Sequence, residues 1–180
     1  MSVELYTLVP TAIGTCGLAW NDAGLTRLQL PEADDAHTES RLGRRGASPA
    51  PDAVPDHITT TTASLTAYFA DARIDFADAV LDTSMLTPFD AAIYRALRDV
   101  SWGRTTTYGA LAATIGDPDA ARAVGVAMSH NPWPIIVPCH RVLAANGAMG
   151  GFSAYGGATT KQKLLTLERN GLDTLPLFSS

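Results

Sequence analysis

Three prolines fall within seven residues, at Pro132, Pro134 and Pro138, in the run Asn131-Pro132-Trp133-Pro134-Ile135-Ile136-Val137-Pro138-Cys139-His140-Arg141-Val142. Proline locks its own φ at about −65°, removes a backbone donor and biases the preceding residue toward extended conformations, so no regular helix or central strand can run through this stretch. The spacing predicts a stiffly extended segment that holds Cys139 in place. The thiolate is the nucleophilic form of cysteine, and a neighbouring imidazole that takes its proton, directly or through water, raises the thiolate fraction at neutral pH. His140 is that neighbour. A Cys-His dipeptide by itself is weak evidence, since a lone cysteine is more often an inert buried residue, so the surroundings have to decide.

The chain has 180 residues, 46% hydrophobic and 17% charged, enough for one or two compact domains that fold without disulfides or metal staples. Its two cysteines, Cys16 and Cys139, and a start without a basic or apolar leader imply an intracellular, cytoplasmic protein with reduced thiols. No apolar run approaches the ~20 residues of a membrane-spanning helix, so no membrane partner is expected. The formal net charge of −5 argues against a nucleic-acid partner, yet it is unevenly spread. Residues 1–84 hold 5 Lys+Arg and 12 Asp+Glu, net −7; residues 85–180 hold 8 and 6, net +2. This asymmetry predicts two domains, 1–84 and 85–180, with any polyanion touching only the second.

Tyr6-Thr7-Leu8-Val9, Gly17-Leu18-Ala19-Trp20 and Leu25-Thr26-Arg27-Leu28-Gln29-Leu30 carry strand patterns, with turn residues at Asn21-Asp22-Ala23-Gly24. Between Glu32 and Arg45 acids precede arginines, the order a helix dipole favours. Gly46 to Pro55 reads as a linker, and Ile58, Leu65, Tyr68 and Phe69 give a second helix one apolar face. Residues 71–85 read as an irregular passage, with a strand at Val80-Leu81. Thr87 is placed to cap a helix whose first position is Pro88 and whose apolar face is Phe89, Ile93, Leu97 and Val100. Two short helices follow, Tyr108 to Ile115 and Asp117 to Ser129, separated by Gly116; they have the dimensions of a helix-turn-helix, though helical hairpins of this length are more often part of a core. In the second helix Ala120, Ala121, Gly125 and Ala127 are small and Arg122 is the only cation. Such a helix can approach a phosphate backbone or narrow groove closely while lacking the polar set that reads base edges, or it can pack against another helix.

Beyond the cysteine, Gly150-Gly151-Phe152-Ser153-Ala154-Tyr155-Gly156-Gly157 is a glycine-rich loop with two aromatics, suited to bringing backbone amides and apolar faces against a flat ring, or serving as a connector. From about Thr160 a last helix carries Leu164, Leu165 and Leu167 inward and stops at Gly171. Glu168 lies near its C-terminus, where the dipole disfavours an acid, so a separate task such as orienting a histidine is expected of it.

The residues Ala120-Ala121-Arg122-Ala123-Val124-Gly125, Asn131-Pro132 and Pro138-Cys139-His140-Arg141-Val142, in this order, resemble the O6-alkylguanine-DNA alkyltransferase family, also called methylated-DNA-protein-cysteine methyltransferases. The likeness covers residues 87 to 171, with weaker traces at Ile13-Gly14-Thr15 and Gly24-Leu25-Thr26. It implies an α/β N-terminal domain with an RNase H-like sheet and a mainly helical C-terminal domain with a winged helix-turn-helix. It also implies direct-reversal repair of double-stranded DNA, in which Cys139 takes the alkyl group from O6-alkylguanine, with O4-alkylthymine a second candidate substrate, and keeps it. By the same resemblance His140 is the base, Glu168 orients it, Asn131 braces the turn and Tyr108 assists the departing guanine. Arg122 fills the space of the flipped nucleotide, with Ala121 and Gly125 beside it at the DNA. Met128, Phe152 and Ser153 line the guanine pocket. The loop is two residues longer than in many members, at Ala154-Tyr155. The implied protein is a monomer, with cooperative binding along DNA left open, and needs no cofactor.

No paired zinc-ligand spacing links His37, His57, His130 and His140, and no CxxC occurs, so no metal is expected. Two competing readings are a non-enzymatic lesion-binding protein, whose type lacks the acceptor cysteine, and a thiol hydrolase using Cys139 and His140. A plain DNA-binding regulator is disfavoured by the absent base-reading side chains.

Overall fold

Period-two alternation sorts the residues of the N-terminal strands between two helices. In the computed structural model, which describes residues 3–173 and side chains as far as Arg169, β1 (Leu5–Thr11), β2 (Gly14–Asn21) and β3 (Gly24–Gln29) form an antiparallel meander. Cys16, Leu18 and Trp20 point into the main core, whereas Ala19 joins Tyr6, Leu42 and Ala47 on the opposite face. There α1 (Asp35–Gly43), capped by Asp34 accepting from the His37 amide, lies so close that a Cβ on Gly17 would run into Leu42. The other face is covered by α2 (Asp56–Phe69), which buries Ile58, Leu65, Tyr68 and Phe69. At the β2–β3 turn the Asn21 side chain accepts from the amides of Ala23 and Gly24, and Gly24 takes φ +144° with its α-carbon against the Val80 carbonyl, a place closed to any Cβ.

The helix expected after Thr87 forms. Thr87 accepts from the Asp90 amide and starts α3 (Pro88–Arg98), which buries Ile93, Tyr94 and Leu97. Then come β5 (Thr106–Thr107), α4 (Tyr108–Thr114), α5 (Ala121–Ser129) and a one-turn 3-10 helix at Cys139–Arg141. β6 (Val142–Leu143) pairs parallel with β5, and α6 (Gly157–Asp173) closes the described chain.

Several expectations need correction. The stretch 46–55 is not only a linker: it contains β4 (Ser48–Pro49), which adds parallel to β1 to give the order β3-β2-β1-β4, the Ser48 and Ala50 amides donating to Glu4 and Tyr6. Pro49 is tolerated because an edge strand needs no donor on its outer side. The helix placed at Asp117 starts at Ala121, after a turn closed by the Ala120 amide on the Asp117 carbonyl. The last helix starts earlier than Thr160 and passes through Gly171, since one glycine weakens a helix without ending it. The proline run is not extended throughout. Ile135 adopts φ +75° inside a turn closed by the Val137 amide on the Trp133 carbonyl, because prolines fix their own φ and not that of the residues between them. The strand expected at Val80-Leu81 is a single bridge from Leu81 to Leu25.

One continuous core crosses the two halves, running from Leu18 and Tyr68 to Leu97 and Val124. Backbone and side chain reinforce it: the Leu28 amide donates to the Pro132 carbonyl at 2.9 Å, and the Trp133 indole donates to the Leu25 carbonyl at 2.9 Å. β3 therefore anchors the proline run directly. Trp133→Phe removes that donor and shrinks a ring buried in the core, while the Leu25 carbonyl keeps its bond from the Asp82 amide, so stability should fall by about 1–3 kcal/mol. In urea this appears as a lower midpoint of a single transition with unchanged slope; two separated transitions in the parent protein would contradict the shared core.

Candidate active site

Cys139 lines a cavity of about 400 Å³ together with Tyr108 from α4, Gly125 and Met128 from α5, and Phe152 with Ser153 from the glycine-rich loop. These six residues are spread over more than forty positions of the sequence, and the fold brings them together. Tyr108 begins α4 and Met128 lies in the last turn of α5, so both short helices line the cavity. A Cβ on Gly150 would collide with the Tyr108 hydroxyl, so the glycine there admits the phenol to the cavity. Burial, with the nearby Cys139, raises the Tyr108 pKa, and the hydroxyl keeps its proton as a donor. Cavities of this size and mixed lining commonly hold a small flat ligand.

The turn bearing the thiol is fixed from both sides. Asn131 donates from Nδ2 to the Val137 carbonyl at 2.8 Å and accepts the Trp133 amide on Oδ1 at 3.0 Å, spanning the run that precedes Cys139. After it, His140 and Arg141 are held by Glu168 of α6. His140 Nε2 lies 2.7 Å from Oε1, Arg141 donates through Nη2 at 2.7 Å and Nε at 2.9 Å, and the Tyr68 hydroxyl donates at 2.8 Å. Glu168 is 1% exposed and His140 wholly buried. Burial alone would raise the Glu168 carboxyl, but bonds from His140 and Arg141 outweigh it and bring the pKa down to about 2. Since an ionised carboxylate can only accept, Nε2 of His140 carries the proton. Nδ1 is left as a buried lone pair with no protein partner among the described residues. That is the tautomer of a general base.

Burial pushes the Cys139 thiol up and the His140 imidazole down, so both are neutral at rest. Hydrogen bonding from Asn131, the charge of Lys161 and the backbone amides of Cys139 and His140 act the other way on the thiol. Sequence reasoning misses Lys161. It is wholly buried and donates to the Val142 carbonyl at 2.6 Å, just after the active turn. The signal open to it is spacing: Lys161, Leu164 and Glu168 recur at the helical interval on one face of α6, and all three are buried. Tyr68 and Arg141, the other partners of Glu168, carry no local signal of that role. Cys16, by contrast, sits in the core, its thiol pushed up to about 12 by burial.

The fold separates the DNA-side candidates. Arg122 is exposed on α5 and makes no side-chain hydrogen bond among the described residues, whereas Ala121 is half-buried and Gly125 faces the cavity rather than solvent alone. Among the described residues no group of three or more His, Cys, Asp or Glu side chains is arranged to hold a metal ion.

A family model described as "6-O-methylguanine DNA methyltransferase, DNA binding domain" matches residues 88–170. A methylated-DNA--protein-cysteine methyltransferase of Mycolicibacterium paratuberculosis is 40% identical over 164 residues, covering 91% of this chain and 92% of that protein. The chain belongs to the methylated-DNA-protein-cysteine methyltransferase family. A constitutive member from Bacillus subtilis is 32% identical over 93% of this chain and 96% of its own length. Among solved structures, that of the Mycobacterium tuberculosis protein OGT in complex with DNA aligns with TM-score 0.74 and 36% identity, covering 92% of this chain and 93% of the other. An O6-methylguanine-DNA methyltransferase from Pyrococcus kodakaraensis aligns with TM-score 0.66, at 28% identity over 92% and 99% of the two chains.

In this family member the Glu168 cluster makes a prediction about acid stability. A carboxyl whose folded pKa lies below its unfolded value of about 4.3 contributes stability that is complete above that value and is lost as pH falls toward the folded one. Glu168→Gln should lower stability near neutrality by about 3 kcal/mol or more, because Arg141 loses its buried partner. Unfolding measured across acid pH should also show a flatter profile in the variant between about pH 4.5 and about pH 2. An equally steep acid loss in both proteins would contradict the assignment.

Proposed function

We propose that this protein repairs alkylated DNA by moving the alkyl group of an O6-alkylguanine irreversibly onto Cys139. The observation that carries the reading is a cysteine lining a cavity of about 400 Å³, next to a histidine whose buried Nδ1 has no partner among the described residues and whose other nitrogen is held by an ionised carboxylate. His140 takes the thiol proton through Nδ1, directly or by way of one water, and Glu168 stabilises the imidazolium that forms. The sulfur then attacks the alkyl carbon, an S–C bond forms as the C–O bond breaks, and the electron pair leaves with the guanine oxygen. Tyr108 donates a hydrogen bond, or its proton, to a ring nitrogen of the departing base. A thioether has no labile bond for water to cleave, so each molecule acts once.

The remaining assignments follow from placement. Met128 and Phe152 supply apolar faces for the ring, and Ser153 at the rim offers its backbone amide. α4 and α5 act as the helix-turn-helix, with β5, β6 and the Leu143–Met149 bridge as the wing beside them. Residues 85–180 then carry the chemistry and residues 1–84, with an RNase H-like sheet, brace it. α5 approaches the duplex through Ala121, and Arg122 occupies the stack when the guanine is extruded. Asn131 holds the turn that presents the sulfur.

A duplex carrying labelled O6-methylguanine should pass its label to the parent protein and to Cys16→Ala, and not to Cys139→Ser. Label on the Cys139→Ser protein would refute the acceptor. Arg122→Ala should slow repair of the duplex by about tenfold or more relative to its effect on the free base O6-benzylguanine, since extrusion from the stack costs a few kcal/mol only in duplex DNA. Equal losses on the two substrates would remove that role.

A further inference from the structure

The N-terminal half is strongly acidic in sum, yet four of its five basic residues converge on one place. Arg27 from β3 and Arg41, Arg44 and Arg45 from the end of α1 and the turn after it line a cleft of about 580 Å³. The opposite wall is Ser129, His130 and Asn131 at the end of α5, with Ser153 and Ala154 of the glycine-rich loop. Ser129 and Ser153 line both this cleft and the Cys139 cavity, so the two share a rim.

The ordinary explanation for arginines at the end of a helix is its dipole, and it accounts for Arg41 and Arg44. It does not account for Arg27, which belongs to β3 and not to the helix. The Arg27 guanidinium donates to the Arg41 carbonyl at 2.7 Å, and burial together with the charges of Arg45 and Arg41 lowers its pKa, against a pull from Glu4. Like charges are therefore crowded at a cost to the free protein. Glu32 is the one acid lining the cleft among the described residues, and it is bound to Arg41 at 3.1 Å and to Gln29 at 3.0 Å. The exposed side chains of Arg44 and Arg45 form no hydrogen bond or ion pair among the described residues. A net positive cleft that begins at the lip of the base cavity matches the phosphates of the strand whose nucleotide fills that cavity.

We propose that the arginine cleft of the N-terminal half is a phosphate-binding track for the lesion strand, holding the backbone on one side of the extruded nucleotide. This rests on the DNA-repair reading and adds a second binding surface to α5. The strand leaves the cavity over Ser129 and Ser153 and continues along Arg44 and Arg45, with Arg27 and Arg41 behind them. The N-terminal half would then take part in DNA binding instead of only bracing the second half.

The test is binding of a duplex with one O6-methylguanine, followed by fluorescence anisotropy across a salt series, in proteins that also carry Cys139→Ser so that no transfer intervenes. Arg44→Gln with Arg45→Gln should weaken binding by roughly tenfold and flatten the plot of log affinity against log salt by about 0.9 for each phosphate left without its arginine. Arg44→Lys with Arg45→Lys should keep the slope, which separates charge from any effect on α1. Neutral methylphosphonate linkages beside the lesion, placed on each side in turn, should on one side weaken the parent while scarcely changing the Gln variant. If the Gln variant keeps the parent's affinity and slope while Arg122→Ala weakens binding, the track is wrong and the repair reading stands. If neither variant weakens binding, the DNA reading itself fails. Equal further losses from neutral linkages in both proteins would also overturn the track.

Discussion

The carboxylate of Glu168 is where the architecture and the chemistry meet. Four groups from three parts of the chain converge on this one residue: the phenol of Tyr68 on α2, the imidazole of His140 and the guanidinium of Arg141 on the active turn, and the indole of Trp102 on the Glu168 carbonyl. A carboxylate this deeply buried survives as an anion only when its lone pairs are taken up by donors, one of them here the Arg141 cation. The arrangement thereby fixes which nitrogen of His140 bears the proton, ties the N-terminal helix layer to the catalytic turn, and leaves Nδ1 turned away from the carboxylate. Lys161 and Glu168, on one face of α6, grip the backbone and side chains of the same short segment.

The second constraint is the shape imposed on the proline run. Asn131 bridges it internally and Trp133 pins it to β3, so the turn is held by one half of the chain and offered to the other. Ile135, a β-branched residue at positive φ, is a strained position of a kind worth about 1–3 kcal/mol, kept because the surrounding bonds over-determine it. Reactivity at Cys139 then comes from placement more than from acidity, since burial holds the free thiol in its protonated form.

The parts of this structure that are legible in the sequence are those governed by local rules. Strand alternation, the Asn21 turn, the Thr87 cap with Pro88, and the order of Cys139, His140 and Glu168 along the chain all express short-range chemistry. The two-residue strand at Ser48–Pro49 is hidden because a parallel edge strand draws its identity from β1 and not from its own composition. Tyr68 and Arg141 as partners of Glu168 are equally invisible, being long-range pairings of residues that look like core and surface. Net charge misleads in a more general way: summing residues 1–84 to −7 conceals that Arg27, Arg41, Arg44 and Arg45 gather on one wall. Charge acts through where it is placed, and placement appears only in the fold.

The most direct measurement is intact-mass analysis of the protein after incubation with excess duplex bearing O6-methylguanine, with peptide mapping of the product. The account requires that each molecule gain one methyl group in place of one hydrogen, located on the peptide containing Cys139, and that repaired guanine stop accumulating at one equivalent. Repair that continues beyond one equivalent from a protein of unchanged mass, or a methyl group found on Cys16, would contradict it.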